Sequence, residues 1–391
     1  LSIALTAMAS SARAQTCPAT PPDCSTLTNT PLYVLTADTQ ENALKGLGHQ
    51  LNKATASLQF RIIYKNSSSC TNVATIYSGQ TISGSLNYIP DDPNWDEKTP
   101  CTCSQATPVA PDVASAAIFT ESCGLSAPAG IGKFRGPSQA YEYAVRKSST
   151  QTAITADEGY FVLGFGAAGM ASPWLNDMAI FIRPSDASTL IALSDAVGVP
   201  PAKAKGVVEM RSADMLAAMS AATAPDEATI GLLGSGSLDK NRTAVLPLAF
   251  KATGQYFAYY ADSTRTTFDK LNMRQGRYFP WSVTDWLTKV DGNGNPTNTN
   301  AAYLINLLLD QPATPTPAFD PLPVVMAGGL VPTCAMRVSR TSEAGPLSPY
   351  DSPTPCGCAF DAKFATTTCS ACTDSSTCNG GMCRHGYCEK K

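Results

Sequence analysis

The sequence is poor in the residues that carry acid–base and metal chemistry. Its 391 residues include two histidines, His49 and His385. No G-x-S-x-G stretch accompanies them, so a Ser-His-Asp site would lack its usual nucleophile turn. Charge is scarce as well: 28 Lys plus Arg against 31 Asp plus Glu leave a net charge of −3. The basic residues form no cluster, which excludes an extended phosphate backbone, and hence nucleic acid, as a partner. After the first residues no apolar run approaches the roughly 20 residues needed to span a bilayer, so no transmembrane segment is expected. Cysteine is missing from the whole stretch between Cys123 and Cys334.

Outside that gap cysteine is abundant. Six lie before it (Cys17, Cys24, Cys70, Cys101, Cys103, Cys123) and eight after it (Cys334, Cys356, Cys358, Cys369, Cys372, Cys378, Cys383, Cys388). The opening residues L-S-I-A-L-T-A-M-A-S-S-A-R-A are apolar, with Ala12 and Ala14 where a signal peptidase reads, so residues 1–14 are expected to be part of a signal peptide. Its removal takes Arg13, its only charge, and moves the net charge from −3 to −4. Ala14, Gln15 and Thr16 before Cys17 match a lipoprotein box poorly. Export, to the periplasm or beyond the cell, implies oxidised thiols, and even counts allow each cysteine set to pair within itself. Five cysteines in the twenty residues from Cys369 to Cys388 mark a segment too short for a core. Residues 363–391 are therefore expected to be a small disulfide module that draws one partner from Cys334, Cys356 or Cys358. With disulfides claiming the sulfurs, no zinc at His385, no metal and no cofactor is expected.

Between the cysteine sets, strand and helix patterns alternate. Residues 32–36 read as a strand, and Asp38 followed by Glu41 has capping-box spacing before a helix with Ala43, Leu44, Leu47 and Leu51 on one face. A second strand is expected over 58–64, then a loop over 66–71 before a short apolar segment. Residues 88–113 read as a Pro- and Cys-containing loop insertion. Strands are expected at 113–119, 141–145 and 230–233, and helices at 156–165, 212–222 and 301–309. Repeated strand, polar turn and helix units imply an α/β protein with ligand contacts at the strand ends. Tyr256, Tyr259, Tyr260, Tyr278, Trp281 and Trp286 are expected in the core. His49 reads as a helix surface or packing residue.

The most informative turn lies in 179–197, A-I-F-I-R-P-S-D-A-S-T-L-I-A-L-S-D-A-V, an apolar strand feeding a helix. Free N–H groups at the helix start, the hydroxyls of Ser188 and Thr189 and the fixed charge of Arg183 suit a small oxygen-rich solute. The alternative for Arg183 is an ion pair with Asp186 or Asp177. Ser68 and Ser69 offer hydroxyls in the earlier loop, either as caps or as solute donors. Two signals are weaker: Gly234-Ser235-Gly236 could cap a phosphate-binding pocket or be a flexible turn, and the loop 291–298, with one carboxylate and no closing Glu for calcium, reads as a turn.

Four stretches together resemble one family: Y-V-L-T-A-D-T-Q-E-N-A-L-K-G-L at 33–47, N-S-S-S-C at 66–70, F-I-R-P-S-D-A-S-T at 181–189 and A-D-S-T-R-T-T-F-D-K-L-N-M-R-Q-G-R-Y-F-P-W at 261–281. In this order they are similar to type II periplasmic solute-binding proteins, and among these to the phosphate-binding component of ABC importers. The resemblance implies a two-lobed α/β fold over 15–310, with crossing strands and a solute in the cleft. A Pro-rich connector and C-terminal extension packed on the body (311–362) and the disulfide module would follow. Arg183 and Thr189 match the family's loop, whereas Ser185, Asp186, Ala187 and Ser188 replace its middle. Ser115, Ala116 and Ala117 stand where the family delivers an Asp, leaving Asp186 as its substitute. Asp38 and Thr39 stand where it favours small hydroxyls. The expected ligand residues are Thr39, Ser68, Ser69, Arg183, Asp186, Ser188 and Thr189, holding a small polar or anionic solute such as a phosphate-like oxyanion, without catalysis. An ABC permease is the partner the resemblance implies. The competing expectation is a secreted surface or matrix protein that keeps the fold without transport.

Overall fold

The computed structural model describes residues 17–53, 60–91, 95 and 99–390. The expected signal peptide and the first two residues of the strand expected over 58–64 lie outside them. The first lobe is built from β1 (Thr30–Thr36), α1 (Asp38–Lys53), β2 (Phe60–Asn66), α2 (Ser69–Tyr77), β3 (Ile82–Tyr88), β4 (Cys101–Val109) and β5 (Val113–Ala116). β1 pairs in parallel with β2 and β5, while β3 and β4 continue antiparallel from β2. Both faces of β1 are covered. Leu32 and Val34 pack beneath α1 with Leu44 and Leu47, and Tyr33 and Leu35 beneath α2 with Val73 and Ile76. That is why β1 reads as a continuous apolar run rather than an alternating one.

β6 (Ile131–Arg146) carries the chain into the second lobe, which holds β7 (Ala153–Thr155), α3 (Ala156–Phe165), β8 (Ile180–Ile182), α4 (Ser188–Val197), β9 (Val207–Val208), α5 (Ser212–Ala221), β10 (Ile230–Gly234), α6 (Ser235–Lys240), β11 (Val245–Pro247), β12 (Ala249–Lys251) and α7 (Leu271–Arg274). Strand β13 (Trp281–Lys289) returns between β5 and β6, and α8 (Thr299–Leu308), α9 (Pro321–Ala327) and α10 (Gly357–Lys363) complete the body. The first part of β6 pairs with β13 and its end with β10 and β11, so one strand belongs to both lobes. The expectation of a strand over 141–145 captured only that end, because the polar stretch of 131–139 gains its pairing from β13, distant in sequence. The segment expected as a loop over 88–113 contains β4. There Cys101, Cys103 and Gln105 point inward between exposed Thr102 and Ser104, a period of two that the Pro- and Cys-rich composition hides.

The other departures have equally local causes. The loop expected over 66–71 is cut short, because α2 begins inside it at Ser69 and takes in the apolar segment that follows. The Asp38/Glu41 capping box does not form, because both carboxylates have tertiary partners: Glu41 accepts from Tyr64 Oη and Asn66 Nδ2, both at 2.8 Å. Tyr278, Trp281 and Trp286 are buried as expected, but Tyr256 stands 91% exposed at a turn. His49 is buried against the Trp95 ring. Among the described residues no helix is long and apolar enough to cross a membrane.

All fourteen cysteines are paired, as Cys17–Cys101, Cys24–Cys103, Cys70–Cys123, Cys334–Cys356, Cys358–Cys369, Cys372–Cys383 and Cys378–Cys388. None joins the first six to the last eight, and Cys358 is the partner the odd tail required. The tail's hairpin, Met382–Arg384 against Tyr387–Glu389, docks through charge. Glu389 accepts the N–H groups of Cys358 and Ala359 at the start of α10, at 3.0 and 2.9 Å, and Arg384 pairs with Asp310 at 2.9 Å. His385 lies 2.8 Å from Asp320 and 3.5 Å from Asp310, and these carboxylates raise its pKa from 6.5 to about 9. A group with a raised pKa stabilises fully below its unfolded value and loses that contribution as pH passes the folded one. The docking contribution of His385, on the order of 2 kcal/mol, is therefore complete below pH 6.5 and lost on passing pH 9. Tail proteolysis measured across that range should accelerate with rising pH, and His385→Asn should flatten the profile.

Candidate solute-binding cleft

Three helices begin at the junction of the lobes, each directly after a strand. α1 follows β1 through Ala37, α2 follows β2 through Ser67 and Ser68, and α4 follows β8 through the loop 183–187. Their first turns surround a cavity of about 270 Å³ lined by Asp38, Ser68, Ser69, Thr71, Arg183, Asp186, Ser188, Thr189 and Arg211, among others. The first N–H groups of a helix have no carbonyl to bond within it. At α4 the N-cap is Ala187, whose side chain cannot cap, and among the described residues the N–H groups of Ser188, Thr189 and Leu190 have no protein acceptor. At α2 the N-cap hydroxyl of Ser68 makes no bond to a backbone N–H of its helix and is instead 2.9 Å from Thr71 Oγ1.

Arg183 is 4% exposed. Its Nη2 donates to Asp38 Oδ2 and to the Met210 carbonyl, both at 2.9 Å, while its buried Nε has no acceptor. The ion-pair partner is thus Asp38, not Asp186 or Asp177. Asp177 instead accepts the Ala167 N–H at 2.7 Å. Asp186 accepts from Thr71 Oγ1 at 2.8 Å and from Ser68 Oγ, and its backbone carbonyl accepts from the Cys70 N–H at 3.2 Å.

Six of the seven sequence-expected residues meet around this cavity. Thr39 is the exception: one position into α1 its side chain is buried, donates to Gln40 Oε1 at 2.8 Å and faces Gly234. Ser69 is fully buried, and its Oγ accepts the Ala117 N–H at 3.1 Å, so it braces the end of β5. The hydroxyl of buried Tyr141 accepts from Gln139 Nε2 at 3.0 Å and donates to the Ala117 carbonyl, and burial holds it far above its ordinary pKa. Thr71, Arg211 and the role of Asp38 escaped the sequence reading. Thr71 carried a usable signal, one turn into α2 beside Ser68, whereas Asp38 was hidden by its capping-box spacing. Gly234-Ser235-Gly236 is no turn: Gly234 ends β10 and caps α6, which begins at Ser235, and none of the three lines the cavity. A Cβ at Gly236 would stand 2.7 Å from the Gly328 carbonyl, so close backbone approach explains that glycine. Asp291 accepts the N–H groups of Asn293 and Asn295 at 2.9 Å, a plain turn.

No protein-family profile and no curated protein matches the chain. Among solved structures, it is similar to one from Clostridium perfringens described as a phosphate ABC transporter substrate-binding protein with bound phosphate. The identity is 9% over 78% of this chain and 100% of the other, with a TM-score of 0.50. A second is an ABC-type phosphate transport receptor from Vibrio cholerae, at 13% identity over 77% and 99% of the two chains, with a TM-score of 0.46. The chain has the two-lobed type II periplasmic-binding-protein fold. Four of its seven disulfides lie between Cys334 and Cys388.

Proposed function

We propose that this chain is an exported solute-binding protein that holds a small polar or anionic solute in the cleft between its lobes and does no chemistry on it. The observation that carries the reading is the meeting of three helix N-termini on one small cavity, with unpartnered N–H groups at α4 and an unpartnered buried Nε on Arg183. Such donors favour oxygen acceptors and negative charge. A phosphate-like oxyanion fits both the cavity's size and the donors. Ser68, Arg183, Asp186, Ser188 and Thr189 would contact it, with Ser69 holding the loop that presents Ser68. An ABC permease would be the partner in transport.

Calorimetry on the mature protein with phosphate, sulfate, molybdate and small organic acids tests this directly. Heat from at least one is expected, and silence from all, in wild type and in variants whose cleft is opened, would overturn the reading. Thr189→Val should weaken that solute about five- to tenfold, the worth of one neutral hydrogen bond. The competing reading, a secreted surface or matrix protein that retains the fold, is favoured by one observation: Asp38 already occupies Arg183 Nη2. A permease and an ATPase encoded beside this chain would count against it.

A further inference from the structure

Each lobe places a carboxylate at a helix N-terminus of the other. From the first lobe, Asp38 Oδ2 accepts from Arg183 Nη2 at 2.9 Å and from the N–H and the Oγ of Ser212, both at 2.8 Å, at the first residue of α5. From the second lobe, Asp186 Oδ2 accepts from Ser68 Oγ and Thr71 Oγ1, while its carbonyl takes the Cys70 N–H, all in the opening turn of α2. These are the donors that an oxyanion bridging the lobes would use to hold them together. Here two side chains of the chain itself occupy them, and among the described residues the donors left free include the first N–H groups of α4, Arg183 Nε and the Arg211 guanidinium. The two contacts flank the cavity.

We infer that Asp38 and Asp186 form a reciprocal latch that keeps the lobes closed with no solute between them. The carboxylates supply the negative charge that the helix ends call for, so closure needs no external anion. A solute enters only when the latch opens, and its apparent affinity is reduced by the small fraction of open molecules. This inference concerns the closed state and does not require the solute reading above to be correct.

The test is small-angle X-ray scattering with amide hydrogen exchange on the mature full chain, dialysed free of phosphate. The variants are Asp38→Asn, Asp186→Asn and the two combined. Wild type should have the same radius of gyration with and without added phosphate. The double variant should be larger in solute-free buffer, and the amides at the start of α2 and α5 should exchange about tenfold faster or more. Circular dichroism separates opening from unfolding. If the double variant does not fold, the single variants and the wild-type comparison decide. A solute-free wild type that is expanded and contracts on adding phosphate would overturn the latch, as would a folded double variant as compact as wild type. If no solute gives heat with any variant while the double variant still expands, the solute reading fails and the latch stands.

Discussion

Asp262→Ala is expected to lower global stability by about 3–5 kcal/mol, the cost of leaving buried charges without their partner. Asp262 is fully buried, with Lys270 Nζ at 2.8 Å and Arg242 Nη2 at 2.7 Å. It also accepts the Lys270 N–H at 2.9 Å, which holds that residue at φ 47°. Asp239 contacts the same two cations at 2.7 and 2.6 Å. Glu142 completes the cluster without any hydrogen bond to its carboxylate, and burial pushes its pKa to about 7. Removing Asp262 takes away one of the charges that repel an ionised Glu142, so Glu142 should titrate lower and recover part of the loss. Denaturant unfolding near neutral pH checks both points. Asp262→Ala should be strongly destabilising and Glu142→Gln mild. The double variant should lose more than the sum, because the compensating carboxylate is then missing. A loss within 1 kcal/mol for Asp262→Ala would show that the cluster is solvated in a way its burial does not suggest.

The alternating strands and helices were legible wherever one element meets the core by itself. α3 and α5 follow their expected bounds closely because apolar period and turn chemistry agree there. β6 was legible only in part and β4 was read as loop, since the pairing of one with β13 and the disulfide-bound alternation of the other depend on distant partners. The candidate site divides in the same way. Its hydroxyl-rich turns follow strand ends and announce themselves, as do Arg183 and Thr189. The Arg183–Asp38 pair joins residues 145 positions apart across the cleft. Near Arg183 in sequence, Asp186 offered the obvious partner, and only closure of the lobes sends it to Ser68 and Thr71 instead. Thr39 failed for a simpler reason: a shift of one residue at a helix start rotates a side chain by about 100°, from the cleft to the core.

Loss of the Cys378–Cys388 bridge, in a Cys378→Ser/Cys388→Ser variant, is expected to unfold the tail while leaving the α/β body intact. The segment Cys369–Cys388 has no core of its own, and removal of a native bridge from so small a unit costs about 2–5 kcal/mol. What would remain are the bridges Cys358–Cys369 and Cys372–Cys383, which hold only the first strand of the hairpin, and the contacts of Glu389, Arg384 and His385 with α10, Asp310 and Asp320, too few to order a chain whose last strand is no longer pinned. The body holds large buried clusters of its own around Tyr141, Leu193 and Leu232 and around Leu44 and Leu304. Mild reductant should act in the same order. Cys372 and Cys383 are both partly exposed, whereas Cys24–Cys103 is buried at both ends. Limited proteolysis during graded reduction should therefore cut within 369–388 before any site in the body, and the variant should be cut there without reductant. Sulfurs of Cys372, Cys378 and Cys388 lie within 4.8 Å of one another, so the same experiment separates bridges from a metal cluster. Denatured, unreduced protein should show no free thiol and hold no zinc, and either thiols or chelator-resistant zinc would overturn the disulfide assignment.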